Sequence, residues 1–243
     1  MIKLKIMPAK KHLITEQVKA SYSAIAHEFD RTRKQPWPEF EHFLNYVKKG
    51  AKVLDVGCGN GRLFEKLQGK KVDYLGVDHN EELLKRAQQN FPEAHFEWMD
   101  MIDLRLKKKH FDTIFSIAAF HHLPTKQLRK KVLAEFRQSL KKDGILILTT
   151  WNLFQKRYLG PLLISILRSI VTLGIKGTWN DLWIKWGKYP LKRYYHSFLP
   201  RELKGLFDTE KWQVEEFYFT KKGNRVSFWG SFNIVVIVKK IND

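Results

Sequence analysis

Apolar positions recur at a helical period through residues 12–29, where Ile14, Val18, Tyr22, Ile25 and Phe29 fall on one stripe. Pro38 suits the first turn of a second helix that runs to about Lys48. Between the two lies DRTRKQPWP, Asp30 to Pro38, too basic for a core and too rich in proline for a helix interior. It reads as a connection. From Lys52 the pattern changes to short apolar runs, KVLDVG, VDYLGVD, AHFEWMD, FDTIFSIAAF and GILILTTW, with amphipathic segments at 61–69, 80–91 and 125–140 between them. Strand and helix alternating in this way predict a parallel sheet covered on both faces.

After Trp151 the alternation stops. Residues 152–196 hold an apolar stretch, Leu159 to Ile175, and a segment with Trp179, Trp183 and Trp186; a short helix is expected near 200–207. Two last runs, WQVEEFYF and FNIVVIVKK, are close enough to pair as a hairpin with Lys221 to Asn224 at or near its turn. The expected fold is α/β: a doubly wound, mostly parallel seven-stranded sheet with an antiparallel C-terminal hairpin and a helical insertion after the fifth strand. We read residues 1–243 as one domain, with an N-terminal helical segment at 1–49, a core at 50–151, the insertion at 152–196 and a C-terminal helix and hairpin at 197–243.

Composition narrows the class. With 44% hydrophobic and 14% aromatic residues the chain has apolar surface enough to fold, despite 28% charged residues. Lys and Arg number 44 against 25 Asp and Glu, a formal charge of +19 that attracts polyanions such as RNA. Scattered pairs such as Lys10 with Lys11 and Lys239 with Lys240 equally fit a coat that keeps the surface solvated. One cysteine, Cys58, excludes an internal disulfide and a multi-cysteine zinc site and suits a reducing compartment. The amino end lacks the continuous apolar core of an export signal, so a cytoplasmic protein is expected. The stretch from Leu159 to Ile175, interrupted by Gly160, Pro161, Arg168 and Gly174, falls short of a membrane span and predicts a buried or interfacial helix without stable membrane insertion.

The most informative stretch is VLDVGCGNG, Val53 to Gly61, a strand running into three alternate glycines before a helix. Gly57, Gly59 and Gly61 permit tight turns and close approach of a ligand. A dinucleotide fingerprint wants glycine one place later, where this chain has Arg62. Asp55 beside the loop suits a cationic amine instead. The pattern resembles the first motif of class I S-adenosylmethionine-dependent methyltransferases, which have a Rossmann-like fold. That resemblance implies S-adenosyl-L-methionine as cofactor, Asp55 with Gly57, Gly59 and Gly61 around its methionine part, Asp78 on the ribose, and Asp100 with Met101 at the edge and face of the adenine. For Asp78 and Asp100 the competing reading is helix capping or solvated loop charge.

The acceptor side is narrowed by what is missing. No Asn/Asp-Pro-Pro-aromatic loop of exocyclic amine methyltransferases is present, and Cys58 is committed to the glycine loop. His121 and His122 follow the fourth strand, where open α/β sheets place substrates; either could bind or polarise an acceptor, the competing reading being that one of them only bonds backbone. YSAIAHEFDRTRKQPWPEFEHFL, SIAAFHHLPT, TTWNLFQ and RYYHSFLPRELKGLF together resemble the tRNA wobble-uridine carboxymethyl methyltransferases, over nearly the whole chain. Members esterify 5-carboxymethyluridine. The resemblance implies Arg33 and Arg193 as functional arginines and His121 or His122 as the pocket histidine, with the tRNA anticodon loop as partner. In eukaryotic members it also implies a small zinc-binding activator subunit.

A carboxylate acceptor is already ionised and needs aiming rather than deprotonation, which the planar fork of arginine can supply. The plain reading of the basic connection is that Arg31, Arg33 and Lys34 solvate a loop while Trp37 packs beneath it as a hydrophobic plug; the plug is preferred for Trp37, whereas Arg33 is read as substrate-facing. Tyr194, Tyr195 and His196 could stack on anticodon bases or form core. The insertion could be a lid, a partner surface or a membrane-contacting helix. The competing functions are methylation of a small hydrophobic or quinone-like acceptor near a membrane, and a non-catalytic RNA-binding protein of the same fold. Salt-sensitive tRNA affinity, liposome binding and failure to bind the cofactor would discriminate among the three.

Overall fold

A computed structural model describes residues 7–33, 35–174, 178–185, 189 and 191–242; Lys34, Ile175 and Trp186 lie outside the described residues. The first helical stripe forms two helices, α1 (Met7–Ser23) and α2 (Ala26–Thr32). No glycine or proline marks the break. The turn at Ala24 and Ile25 lets Val18 and Ile25 both bury while α2 packs on α5 (Glu81–Asn90). The second helix is α3 (Glu39–Phe43), continued by a 3-10 turn at Leu44–Tyr46.

β1 (Lys52–Val56), β2 (Asp73–Asp78), β3 (His95–Trp98), β4 (Phe111–Ile117) and β5 (Leu140–Trp151) are parallel, with α4 (Arg62–Leu67), α5 and α6 (Lys126–Ser139) between them. β8 (Trp212–Lys221) and β10 (Asn233–Lys240) follow α8 (Pro200–Lys204) and complete the sheet antiparallel, in the order β3-β2-β1-β4-β5-β10-β8-β9. The eighth strand is β9 (Asn224–Arg225). Lys222 and Gly223 both take positive φ, the backbone of a two-residue hairpin turn, so β8 folds first onto β9 at the edge, and the chain then returns as β10 along its other side. This adds one strand to the expected seven.

Burial of both faces explains the continuous apolar runs. In β10, Ile234, Val236 and Val238 join the core beneath α6 with Leu54, Ile114 and Phe136, whereas Val235 and Ile237 join the opposite core with Val53, Phe40 and Phe43. Strand order reverses between β1 and β4, and a crevice opens there at the carboxyl ends.

The insertion is more than helix. After α7 (Leu159–Val171) come β6 (Asp181–Lys185) and β7 (Lys192–His196), an antiparallel pair outside the main sheet. α1 and α2 close over the crevice, and β7 of the insertion packs against α1 from outside. No helix among the described residues is long and apolar enough to cross a membrane.

Candidate active site

A cavity of about 1140 Å³, counting its open mouth, lies at the carboxyl ends of β1 to β4. Its floor is the glycine loop. Gly57 takes φ +79, and a Cβ there would stand 2.4 Å from the Cβ of Ala119, so only glycine lets the β1 and β4 loops meet this closely. Gly59 N–H donates to Asp78 Oδ2 at 2.9 Å, and Asn80 N–H donates to Asp78 Oδ1 at 2.9 Å. Asn80 in turn caps α5 by accepting from Leu83 N–H. Asp78 therefore ties the loop to the next strand and keeps lone pairs toward the cavity.

Asp55 is buried on β1. Its Oδ2 accepts from Tyr74 OH at 3.0 Å, while its Oδ1 is buried with no partner among the described residues. Burial pushes its pKa up to about 7, the Tyr74 hydroxyl offsets this only in part, and Asp78 adds to it. Asp100 Oδ1 accepts from Ile102 N–H at 3.0 Å, and Asp100 and Met101 line the wall after β3.

The opposite wall is cationic and aromatic. Arg33, at the end of α2, stacks its guanidinium over Phe29 at 4.7 Å and lines the cavity. Burial lowers its pKa; Tyr22 opposes this and Arg193 reinforces it. Arg62 begins α4, lies over the ring of Trp37 at 4.6 Å, and has its pKa lowered to about 10 by burial and by Arg33. His122 Nδ1 stands 2.7 Å from the carbonyl oxygen of Tyr194, which only accepts, so Nδ1 carries the proton and Nε2 accepts from Tyr22 OH at 2.9 Å. Burial lowers the His122 pKa to about 3, against a smaller raising effect of the Tyr194 carbonyl. The imidazole is neutral.

Asp55, Gly57, Gly59, Asp78, Asp100, Met101, Arg33 and His122 thus face one cavity. Gly61, His121 and Arg193 do not line it. A Cβ at Gly61 would stand 2.8 Å from the ring of Phe96 and 3.1 Å from that of Phe91. His121 is buried behind His122, accepts from Trp151 N–H at 3.1 Å, and is held well below its usual pKa by burial. Arg193 lies 4.7 Å from the ring of Tyr22 and 5.6 Å from that of Tyr195.

The anticodon-stacking role considered for Tyr194, Tyr195 and His196 does not fit their surroundings, because all three are buried in the core of the β6–β7 pair. Trp37 is half-buried, packs near Phe40 and also forms cavity wall. Cys58 is buried with its thiol pushed well up, so it is no nucleophile.

Three wall residues escaped the sequence reading. Tyr22 sits on the apolar stripe of α1 and looks like core. Arg62 was legible only as a missing glycine, and Trp151 only as the end of a strand. An unpaired buried carboxylate oxygen beside a side-chain-free loop fits the α-ammonium and sulfonium of S-adenosylmethionine, and apolar Met101, Ile102 and Leu83 fit a nucleobase.

The methyltransferase-domain family matches residues 53–144. A crystal structure described as a SAM-dependent methyltransferase of Methanosarcina mazei superposes with a TM-score of 0.67 at 20% identity, over 83% of this chain and 98% of that one. By fold, the chain belongs with this class of structure. A tRNA (carboxymethyluridine(34)-5-O)-methyltransferase of Schizosaccharomyces pombe is 30% identical over 84% of this chain and 81% of its own length. The Xenopus tropicalis tRNA (carboxymethyluridine(34)-5-O)-methyltransferase alkbh8 is 33% identical over 58% of this chain and 22% of its own. The chain belongs to the tRNA (carboxymethyluridine(34)-5-O)-methyltransferase family. Matches to the Xenopus, Arabidopsis thaliana and Saccharomyces cerevisiae relatives cover 22%, 31% and 50% of those proteins.

Proposed function

We propose that this methyltransferase esterifies the carboxylate of 5-carboxymethyluridine at the wobble position of tRNA. The observation that carries the reading is the division of charge across one cavity. Asp55 and Asp78 lie at the glycine loop and Asp100 on the wall after β3, while Arg33 at the end of α2 and Arg62, whose charge also acts on Asp55, line the same cavity. A cationic donor and an anionic acceptor each find the complementary side. When bound, S-adenosylmethionine would supply a sulfonium methyl to a carboxylate oxygen in line, the C–S bond breaking as the O–C bond forms and neutral S-adenosylhomocysteine leaving, with no proton to remove.

The residues divide the work. Asp55 Oδ1 would accept from the cofactor ammonium and Asp78 from the ribose diol, while Asp100 would meet the adenine edge and Met101 its face. Arg33 and Arg62 hold and aim the acceptor carboxylate, and Arg193, set against Tyr22, adds positive field from behind. His122 is no base in this scheme: its one free lone pair takes the Tyr22 hydroxyl, which fixes the phenol at the cavity wall. The activator subunit of the family is part of the proposal, and its test is co-purification with the full chain.

The experiment is Arg33→Ala. Calorimetry should find cofactor affinity within about twofold of wild type, while ester formation on tRNA falls on the order of a hundredfold or more. Asp55→Ala and Asp78→Ala should abolish cofactor binding and, with it, ester formation. Unchanged esterification by the Arg33 variant, read by mass spectrometry of wobble nucleosides, would end the proposal.

A further inference from the structure

α7 turns its apolar side outward. Leu159, Leu163, Ile164, Leu167, Ile170 and Val171 recur at helical spacing and are all exposed, Leu167 at 62% and Val171 at 80%. Its inner side is anchored by polar groups. Ser165 Oγ and Arg168 Nη2 each donate to the carbonyl oxygen of Asp181 at 2.6 Å, and Leu162 packs on the small core of Leu153, Leu182 and Tyr195. The helix is therefore fixed in place with its aliphatic stripe in water, the reverse of the arrangement that burial favours in a surface helix.

The surroundings of the stripe are basic. From Gly144 to Arg201 the sequence has one acidic residue, Asp181, which is buried, and nine basic ones. Lys156 and Arg157 are exposed just before the helix, and Lys185 and Lys192 are exposed on the β6–β7 pair that α7 packs against. RNA would match the charge but gives branched aliphatic side chains nothing to stack on. A surface of anionic phospholipid matches both. At 13 residues, α7 spans about 20 Å and cannot cross a bilayer core of about 30 Å, so it can only lie in the interface plane.

We propose that α7 docks the protein peripherally on an anionic membrane surface, its aliphatic stripe at the headgroup–acyl boundary and its lysine and arginine rim on lipid phosphates. The proposal concerns where the enzyme sits and holds whatever its acceptor is.

The test is co-sedimentation of the full chain with vesicles of phosphatidylcholine, with and without phosphatidylglycerol. The chain should pellet with the anionic vesicles and bind the neutral ones about tenfold more weakly or less, as expected when charge and apolar burial act together. Leu163→Glu with Leu167→Glu should weaken the anionic binding on the order of tenfold or more, with S-adenosylmethionine affinity unchanged as the sign of an intact fold. Lys156→Glu with Lys185→Glu should lower binding to anionic vesicles alone. A full chain that stays in the supernatant with anionic vesicles overturns the proposal. So does a leucine variant that pellets like wild type, a dimer in light scattering that this variant dissolves, or tRNA binding that this variant loses while vesicles are ignored.

Discussion

At Asp55 a proton and a cationic ligand compete for one carboxylate. Its folded pKa is raised to about 7 from 3.8, chiefly by burial, so between those values the folded chain binds more protons than the unfolded one. The sign follows: without ligand, Asp55 stabilises the fold least at high pH, and its contribution falls as pH rises through that window. A bound ammonium reverses the preference, because it needs the ionised form. S-adenosylmethionine affinity should therefore fall up to about tenfold per unit as pH drops below about 7, with close to one proton released per ligand bound there. Calorimetry in buffers of different ionisation enthalpy measures both, and Asp55→Asn should bind weakly without that slope. This carboxylate was legible in the sequence because it stands at a fixed distance from Gly57 and Gly59 in a local motif. Tyr22 and Arg62 were not, since their neighbours in the cavity come from α2, β4 and β7, far along the chain.

The β6–β7 pair shows the same limit for a whole element. DLWIK and KRYYH lack two-residue alternation because Tyr194, Tyr195 and His196 are all buried, one side against α1 and His122 and the other against α8. Polar groups then pin the pair. Asp181 accepts from Tyr194 OH, from His196 Nδ1–H at 2.8 Å and from Thr178 N–H at 2.7 Å, and His196 Nε2 faces Glu202 at 2.6 Å. Burial alone would raise the Asp181 pKa, yet these donors, His196 first, hold it below the usual carboxylate range. Asp181→Ala leaves three buried donors without an acceptor and should cost about 3 kcal/mol in urea unfolding. Asp181→Asn keeps one acceptor oxygen and should cost less. Because the Tyr194 carbonyl orients His122, the alanine variant should also lose turnover beyond its loss of folded protein. A cost of about 0.5 kcal/mol or less, in the range of ordinary surface changes, would mean the pair is held elsewhere.

For the molecule as a whole, the doubly wound sheet was readable because its central strands, β1, β4, β5 and β10, are covered on both faces and mostly apolar. The charge of +19 was equally readable in amount but not in place, since spacing along the chain does not tell which lysines and arginines converge. The fold gathers Arg33 and Arg62 at the cavity, with Arg193 acting on Arg33 from outside its lining, while many lysines are exposed elsewhere on the surface. These two populations should respond differently to salt. Exposed lysines that neutralise tRNA phosphates release counterions, so with about three to four such contacts the tRNA Kd should rise on the order of a hundredfold between about 50 and 200 mM salt. Cofactor contacts lie in an enclosed cavity where screening is weak, and S-adenosylmethionine affinity should stay nearly constant over that range. With Arg33 on the acceptor carboxylate, as proposed, rather than on a backbone phosphate, Arg33→Ala should leave the slope of log Kd against log salt almost unchanged, whereas each surface lysine in contact should lower that slope by about one when removed. A flat salt profile for tRNA would leave the excess charge as a solvating coat and remove the electrostatic argument for an RNA substrate.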